Sequence, residues 1–312
     1  MNETPIPGPP GIVFAQRCDR GKVREDNQDS VLHARIPLGE LLIVADGMGG
    51  YKGGAAASRM AIESFHKYLA GLPQNYPPDR AIQEASERAN ADIFAAASAP
   101  DSPFRRMGST VVLALLQQNA IGANDRKSAW IGHIGDSRAY LARDGRLTRI
   151  TRDHSAVQQL LDSNLITPEQ ARHHPDVSVL TRSLGHQLEV EIEIDNVPLA
   201  AGDTLLLCSD GLWGYVPESE LQNAAANTNL TLETAAQALL DLALASGGPD
   251  NIGIEMVRLI AYSAAEPPTL TPPAVRKFNE AVAVTLLAFA VVGVIFFFAL
   301  LQHISNIYHP RH

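Results

Sequence analysis

Apolar positions follow two repeating patterns over the first 260 residues. Short runs, continuous or alternating with polar positions, stop at turn residues: 30–36 (SVLHARI), 40–45 (ELLIVA), 109–118, 128–135, 138–143, 146–150, 189–197, 204–209 and 252–259. Such runs bounded by Gly, Pro, Asn or Asp predict β-strands. Pro37-Leu38-Gly39 and Asp144-Gly145 each separate two consecutive runs, which predicts hairpins. Three longer stretches carry helical spacing. The first, 53–72, places Met60, Phe65 and Leu69 near one face and ends at Gly71. The second, 77–97, opens on prolines; the third, 231–248, has Thr231 as its N-cap and Gly247 past its end. A shorter helix starts at Thr167-Pro168-Glu169-Gln170, a capping box with Pro in its first turn. Hairpin-linked strands with few long helices predict an α+β fold in which antiparallel sheets stack face to face with helices outside.

After residue 260 the pattern changes. Residues 261–280 are rich in Pro, Ala and Thr and read as a stiff linker. Residues 281–301 are uncharged and strongly apolar. At about 1.5 Å per residue, a helix of that length crosses a hydrocarbon core of roughly 30 Å, so a C-terminal transmembrane helix is expected. Arg276 and Lys277 before it lean toward a single-pass topology with the N-terminal domain in the cytoplasm. The first residues, MNETPIPGPPG, have neither a basic nor an apolar segment and are not a secretory signal. The expected layout is a tail (1–11), one domain (12–260), a linker (261–280), a membrane anchor (281–301) and a short tail (302–312).

Composition narrows the partners. The chain has 312 residues, 46% hydrophobic and 19% charged, enough for a packed core. Its formal net charge of −9 argues against nucleic acid, because phosphate-backbone binding needs clustered Lys and Arg. A phosphorylated partner remains open if cations offset the acids locally. The two cysteines, Cys18 and Cys208, are far apart and read as reduced thiols, Cys208 buried in its apolar strand.

The candidate chemistry sits where strands end. LLIVADGMGG (41–50) and LLLCSDGLWG (205–214) each run from an apolar strand into Asp-Gly. Asp46-Gly47 alone reads as a turn. A nucleotide loop fails on spacing, since Lys52 stands where G-x-G-x-x-G needs its third glycine. REDNQD (24–29), HIGDSR (133–138) and GGPDN (247–251) add further acidic turns. Aspartates at neighbouring strand ends of stacked sheets can converge on one cleft, where bare carboxylates would repel. Hard divalent cations, Mg²⁺ or Mn²⁺, relieve that repulsion, and a pair of them can activate water and neutralise a phosphoryl group.

GKVREDNQD, VADGMGG, GHIGDSRAY, CSDGLW and GGPDN, in this order, resemble the metal-dependent protein serine/threonine phosphatases of the protein phosphatase 2C type in their bacterial form. The resemblance covers about residues 12–260. It implies a four-layer α/β/β/α sandwich with two Mn²⁺ or Mg²⁺ ions between the sheets. It also implies hydrolysis of phosphoserine and phosphothreonine on cytoplasmic proteins by metal-activated water, with membrane-bound Ser/Thr kinases as opposing partners. By the same resemblance Asp46 bridges the two metals and Gly47 offers its carbonyl. Asp210 and Asp250 complete the first metal's ligands. Asp29 lies in the outer shell, Asp136 with Asp210 holds a third ion, and Arg24 binds the substrate phosphate. Residues 153–178 resemble a flap beside the site. Two positions depart from some relatives: Gln28 replaces a Glu near the second metal, and Met48 replaces a His that could protonate the leaving group.

Two rivals are written into the same chain. CDRGKVR (18–24) fits the C-x-x-G-x-x-R phosphate loop of cysteine-dependent phosphatases, with Cys18 as nucleophile and Arg24 as cradle. That loop should lead into a helix that lowers the thiol pKa. Here a predicted strand follows, and Asp26 and Asp29 act in the opposite direction. A non-catalytic phosphoprotein-binding module would lack a metal aspartate, and none is missing. His173-His174 reads as an exposed pair on the flap, and Trp213 as a core residue beside the site.

Overall fold

The computed structural model describes residues 11–117, 127–172 and 174–260. The expected linker, membrane span and C-terminal tail, nearly all of the N-terminal tail, and His173 lie outside the described residues. Among the described residues no helix is long and apolar enough to cross a membrane.

Among the described residues, eleven strands form two antiparallel sheets. One has the order β1 (Ile12–Asp19), β11 (Ile252–Leu259), β10 (Thr204–Cys208), β7 (Arg138–Arg143), β8 (Arg146–Arg149). The other has the order β2 (Asp29–Ile36), β3 (Gly39–Met48), β5 (Val111–Gln117), β6 (Lys127–Ile134), β9 (Glu193–Leu199), with the short β4 (Gly108–Ser109) pairing β3. Strand parity builds three apolar layers. Leu42 and Val44 of β3 meet Leu205 and Leu207 of β10 between the sheets, in a core shared with Phe14 and Val257. Leu41, Ile43 and Ala45 face the other way, onto α1 (Gly50–Ala70) and α2 (Pro78–Ser98). Leu206 and Met256 face α6 (Glu218–Ala225) and α7 (Leu232–Ala245). The result is the expected α/β/β/α layering.

Local chemistry accounts for many boundaries. Ile36 pairs Gly39 across Pro37-Leu38. Arg143 pairs Arg146 across Asp144-Gly145, both at positive φ. Thr231 caps α7 by accepting the Thr234 N–H at 3.1 Å. Thr167 and Gln170 cap each other reciprocally at the start of α4 (Pro168–Arg172). In α1, Ala57, Ala61, Phe65 and Leu69 form the fully buried stripe, while Met60 packs only partly against it.

Several expectations are corrected. The run 109–118 is two strands, broken at Thr110. The strand expected at 189–197 begins at Glu193, because its partner β6 ends where Gly135, at φ +100°, turns the chain away. Helix α1 starts at Gly50, not residue 53. Strand β1, α3 (Ala156–Asp162), α5 (Asp210–Trp213) and α6 are absent from the sequence expectation.

Candidate metal centre and phosphate cleft

Strand parity also delivers the acids. Leu42 and Val44 face the inter-sheet layer, so Asp46, two residues on, leaves β3 on that side. Asp29 pairs opposite Asp46 at the start of β2. Asp210 follows the end of β10 as the first residue of α5; Asp250 precedes β11, and Asp136 precedes β7. These strand ends lie together at one end of the sandwich. There Asp46, Asp136, Asp210 and Asp250 line a single cavity of about 540 Å³ together with Arg24, Gln28, Gly47 and Met48. Asp29 does not line the cavity; it is buried beneath.

Each acid is held. The Asp46 N–H donates to Thr110 Oγ1 at 3.1 Å, and its carbonyl accepts from the Thr110 N–H at 2.8 Å and from Ser109 Oγ at 3.0 Å. The strand break at Thr110 is what frees these groups to grip Asp46. Gly47 lies so close to Gly54 of α1 that a Cβ on it would meet the Gly54 carbonyl at 1.9 Å, so only glycine lets β3 run against the helix here. Asp29 accepts from Ser209 Oγ at 2.6 Å. Asp250 accepts from Arg24 Nη2 at 2.8 Å and from the Asn251 N–H at 2.9 Å.

Crowding and burial set the electrostatics. Burial, with added repulsion from Asp210 and Asp250, pushes Asp29 up to about 7 against the Ser209 bond. Burial and then Asp250 push Asp210 up to about 6. Asp46 and Asp136 are raised as well, by burial first and then by neighbouring aspartates. Arg24 is the one cation on the cavity wall among the described residues, and its hydrogen bond to Asp250 raises its own pKa. Four carboxylates with one guanidinium are short of positive charge. An all-oxygen donor set of this kind, Asp46, Asp210, Asp250 and Asp136 with the Gly47 carbonyl nearby, fits hard divalent ions such as Mn²⁺ or Mg²⁺.

Other residues of the same motifs support the site. Asn251 accepts the Gln28 N–H at 2.8 Å and donates to the carbonyls of Arg20 and Asp26, both at 2.9 Å, fastening the Arg24 loop to the Asp250 turn. Gln28 donates to the Gly50 carbonyl at 3.2 Å. Trp213 is half-buried; its Nε1–H donates to the Asp136 carbonyl at 3.0 Å, and the Arg138 guanidinium lies 3.4 Å from its ring centroid. Arg138 makes a bidentate pair with Asp153, at the start of the flap segment.

His133 of β6, His154 at the start of that segment and Glu193 of β9 cluster, with ligand atoms within 4.8 Å of one another. His154 Nδ1 accepts the Gly135 N–H, so its Nε2 carries the proton and points at Glu193, 3.1 Å away. Arg182 adds a cation 3.4 Å from the same nitrogen. This arrangement ties down the flap segment and disfavours a metal ion.

The cysteine rival fails on geometry. Cys18 ends no helix-bound loop; it lies in β1, and the following loop enters β2. Desolvation of the thiol, then Asp29, pushes it up to about 11, so the nucleophilic thiolate is scarce at neutral pH. Cys208 is fully buried.

A family model for protein phosphatase 2C matches residues 20–245. The serine/threonine protein phosphatase PstP of Mycobacterium tuberculosis is 37% identical over 254 residues, 80% of this chain and 46% of that protein. The chain thus spans about half the length of this mycobacterial relative. The serine/threonine phosphatase stp of Listeria innocua is 34% identical over 245 residues, 77% of this chain and 93% of that protein. Among solved structures, M. tuberculosis PstP superposes with a TM-score of 0.69 at 36% identity, covering 80% of this chain and 99% of that one. The catalytic domain of a serine/threonine protein phosphatase PstP, solved in complex with two manganese ions, superposes with a TM-score of 0.67 at 35% identity, covering 80% of this chain and 99% of that one.

Proposed function

The chain belongs to the protein phosphatase 2C family, and from that premise we propose that it hydrolyses phosphoserine and phosphothreonine in proteins, using Mn²⁺ or Mg²⁺. The observation that carries this reading is the convergence of Asp46, Asp136, Asp210 and Asp250 on one cavity that also receives Arg24. Asp46, with the Gly47 carbonyl, Asp210 and Asp250, would hold a pair of ions, and Asp136 with Asp210 a third. Bound there, such ions supply a water that loses its proton near neutral pH and offset phosphoryl charge. Arg24 presents a planar pair of donors to two phosphate oxygens, with Asp250 holding its other side. Asp29, through Ser209, steadies the floor of the site. Gln28 offers an amide in place of a carboxylate, which lowers the negative charge on that side. Met48 lines the cavity and has no exchangeable proton, so protonation of the leaving serine or threonine oxygen must come from water or another group.

Phosphate release from a phosphoserine peptide tests the assignment. Asp46→Asn is expected to lose about two orders of magnitude in rate, and Cys18→Ser to keep wild-type rates. The reverse pattern would restore the cysteine mechanism. A phosphoprotein-binding role without turnover is disfavoured because every aspartate of the motif set is present.

The apolar stretch 281–301 and the proline-rich linker before it support a second part of the reading: a membrane tether with the phosphatase domain on the cytoplasmic side. Tethering would place the site near membrane-bound Ser/Thr kinases, whose products it would dephosphorylate. The full chain should sediment with membranes, and a chain ending at residue 280 should not; equal partitioning of the two would remove the anchor.

A further inference from the structure

The cavity wall carries two acids that the metal centre does not use. Glu25 and Asp26 line the same cavity as Arg24 and the four aspartates, and both are exposed. Neither carboxylate has a hydrogen-bond or ion-pair partner among the described residues. Of the other basic residues in this loop, Arg20 and Lys22 stay outside the cavity lining.

These two carboxylates do not swing freely on a loose loop. Asn251 holds the carbonyls of Arg20 and Asp26 and the N–H of Gln28. The Lys22 N–H donates to the Gly248 carbonyl at 2.7 Å. Gly21, at φ +74°, packs so tightly that a Cβ would meet the Asp250 carbonyl at 2.2 Å. The segment is therefore fastened to the Asp250 turn at both ends, and its acids are presented at a set place beside the phosphate arginine. Preorganisation of this kind lowers the entropy lost when a partner binds.

Charge then selects the partner. The ions would take up Asp46, Asp136, Asp210 and Asp250, and Arg24 pairs with Asp250, so the acids left uncompensated on the cavity wall are Glu25 and Asp26. Resting on the phosphatase reading above, we infer that Glu25 and Asp26 make this enzyme selective for phosphoserine and phosphothreonine sites flanked by Lys or Arg, and set it against acidic flanks. Each exposed pair contributes modestly, so the expected preference is about five- to tenfold in kcat/KM at low salt. It should shrink at high salt, because screening weakens exposed pairs.

The test uses the full chain with Mn²⁺ and two phosphoserine peptides of equal length, one with arginines and one with glutamates on both sides of the phosphoserine. The wild type is expected to favour the arginine peptide, Glu25→Gln/Asp26→Asn to bring the ratio close to one, and Glu25→Lys/Asp26→Lys to invert it. Turnover of p-nitrophenyl phosphate, which carries no flanking charges for the loop acids to read, reports for each variant whether the chemical site is intact. Inversion cannot arise from loss of fold. A wild-type ratio near one, or a ratio that survives both double substitutions, overturns the selectivity alone. No turnover of any phosphorylated substrate overturns the hydrolytic reading and the selectivity with it.

Discussion

Thr110 holds the peptide group of Asp46 from both sides, and Ser209 holds the carboxylate of Asp29. At the residue scale the site is thus a set of acids kept in place while burial and mutual repulsion disfavour their charge. That has a consequence for stability. A carboxylate whose folded pKa is raised keeps a proton that the unfolded chain, with a pKa near 4, has already released. Stability therefore falls as pH rises through the folded pKa, here about 7 for Asp29 and about 6 for Asp210. His33 and His154 are both lowered by burial and act with the opposite sign near pH 6.5, where the unfolded histidines still bind protons, but the raised acids Asp29, Asp46 and Asp136 outweigh them. Glu255, buried without a hydrogen-bond partner among the described residues, adds to it with the same sign. In EDTA, the melting temperature should drop between pH 6.5 and 8.0, and Mn²⁺ should reverse the drop, with the larger gain at pH 8.0 where protons compete less. A metal-free melting temperature that rises over this interval would contradict the crowding of these acids.

At the scale of elements, the flap segment and the metal site share one hinge. Arg138 of β7 pairs with Asp153 and lies over Trp213 of α5, which in turn holds the Asp136 carbonyl. Arg138→Leu would leave the buried Asp153, among the described residues, with the longer contact to Arg149 at 3.4 Å. A loss of about 3 kcal/mol is expected in urea unfolding, together with altered tryptophan fluorescence as Trp213 loses its partner. No change in either would show that the stack is incidental. Capped and turned elements were the readable ones, because their signals are local: Thr231 with Thr234, Thr167 with Gln170, Asp144-Gly145. Strand β1 escaped notice because its pairing with β11, more than two hundred positions away, defines it better than its own pattern. Helix α5 is a single turn, too short to show a period. The break at Thr110 lies inside a continuous apolar-looking run and follows from the grip on Asp46, which only the assembled sheet reveals.

At the scale of the molecule, two sheets and their helices bring strand ends from across the chain to one end of the sandwich. The acids themselves were legible, since each stands in an Asp-Gly, Asp-Ser or Asp-Asn turn after or before an apolar strand. What lay beyond the sequence was their support, such as the contact of Asn251 with the loop of Gln28, 223 positions away. The cavity they make lacks positive charge without metal ions, and that shortage is the centre of the account. Phosphate release from a phosphoserine peptide by the full-length chain, stripped with EDTA and then titrated with Mn²⁺, tests it most directly when run beside Asp210→Asn. The account predicts no release in EDTA, recovery as Mn²⁺ is restored, and a loss of about a hundredfold in the variant at every Mn²⁺ concentration. Release that continues in EDTA, or an Asp210→Asn protein that recovers like the wild type, would contradict it.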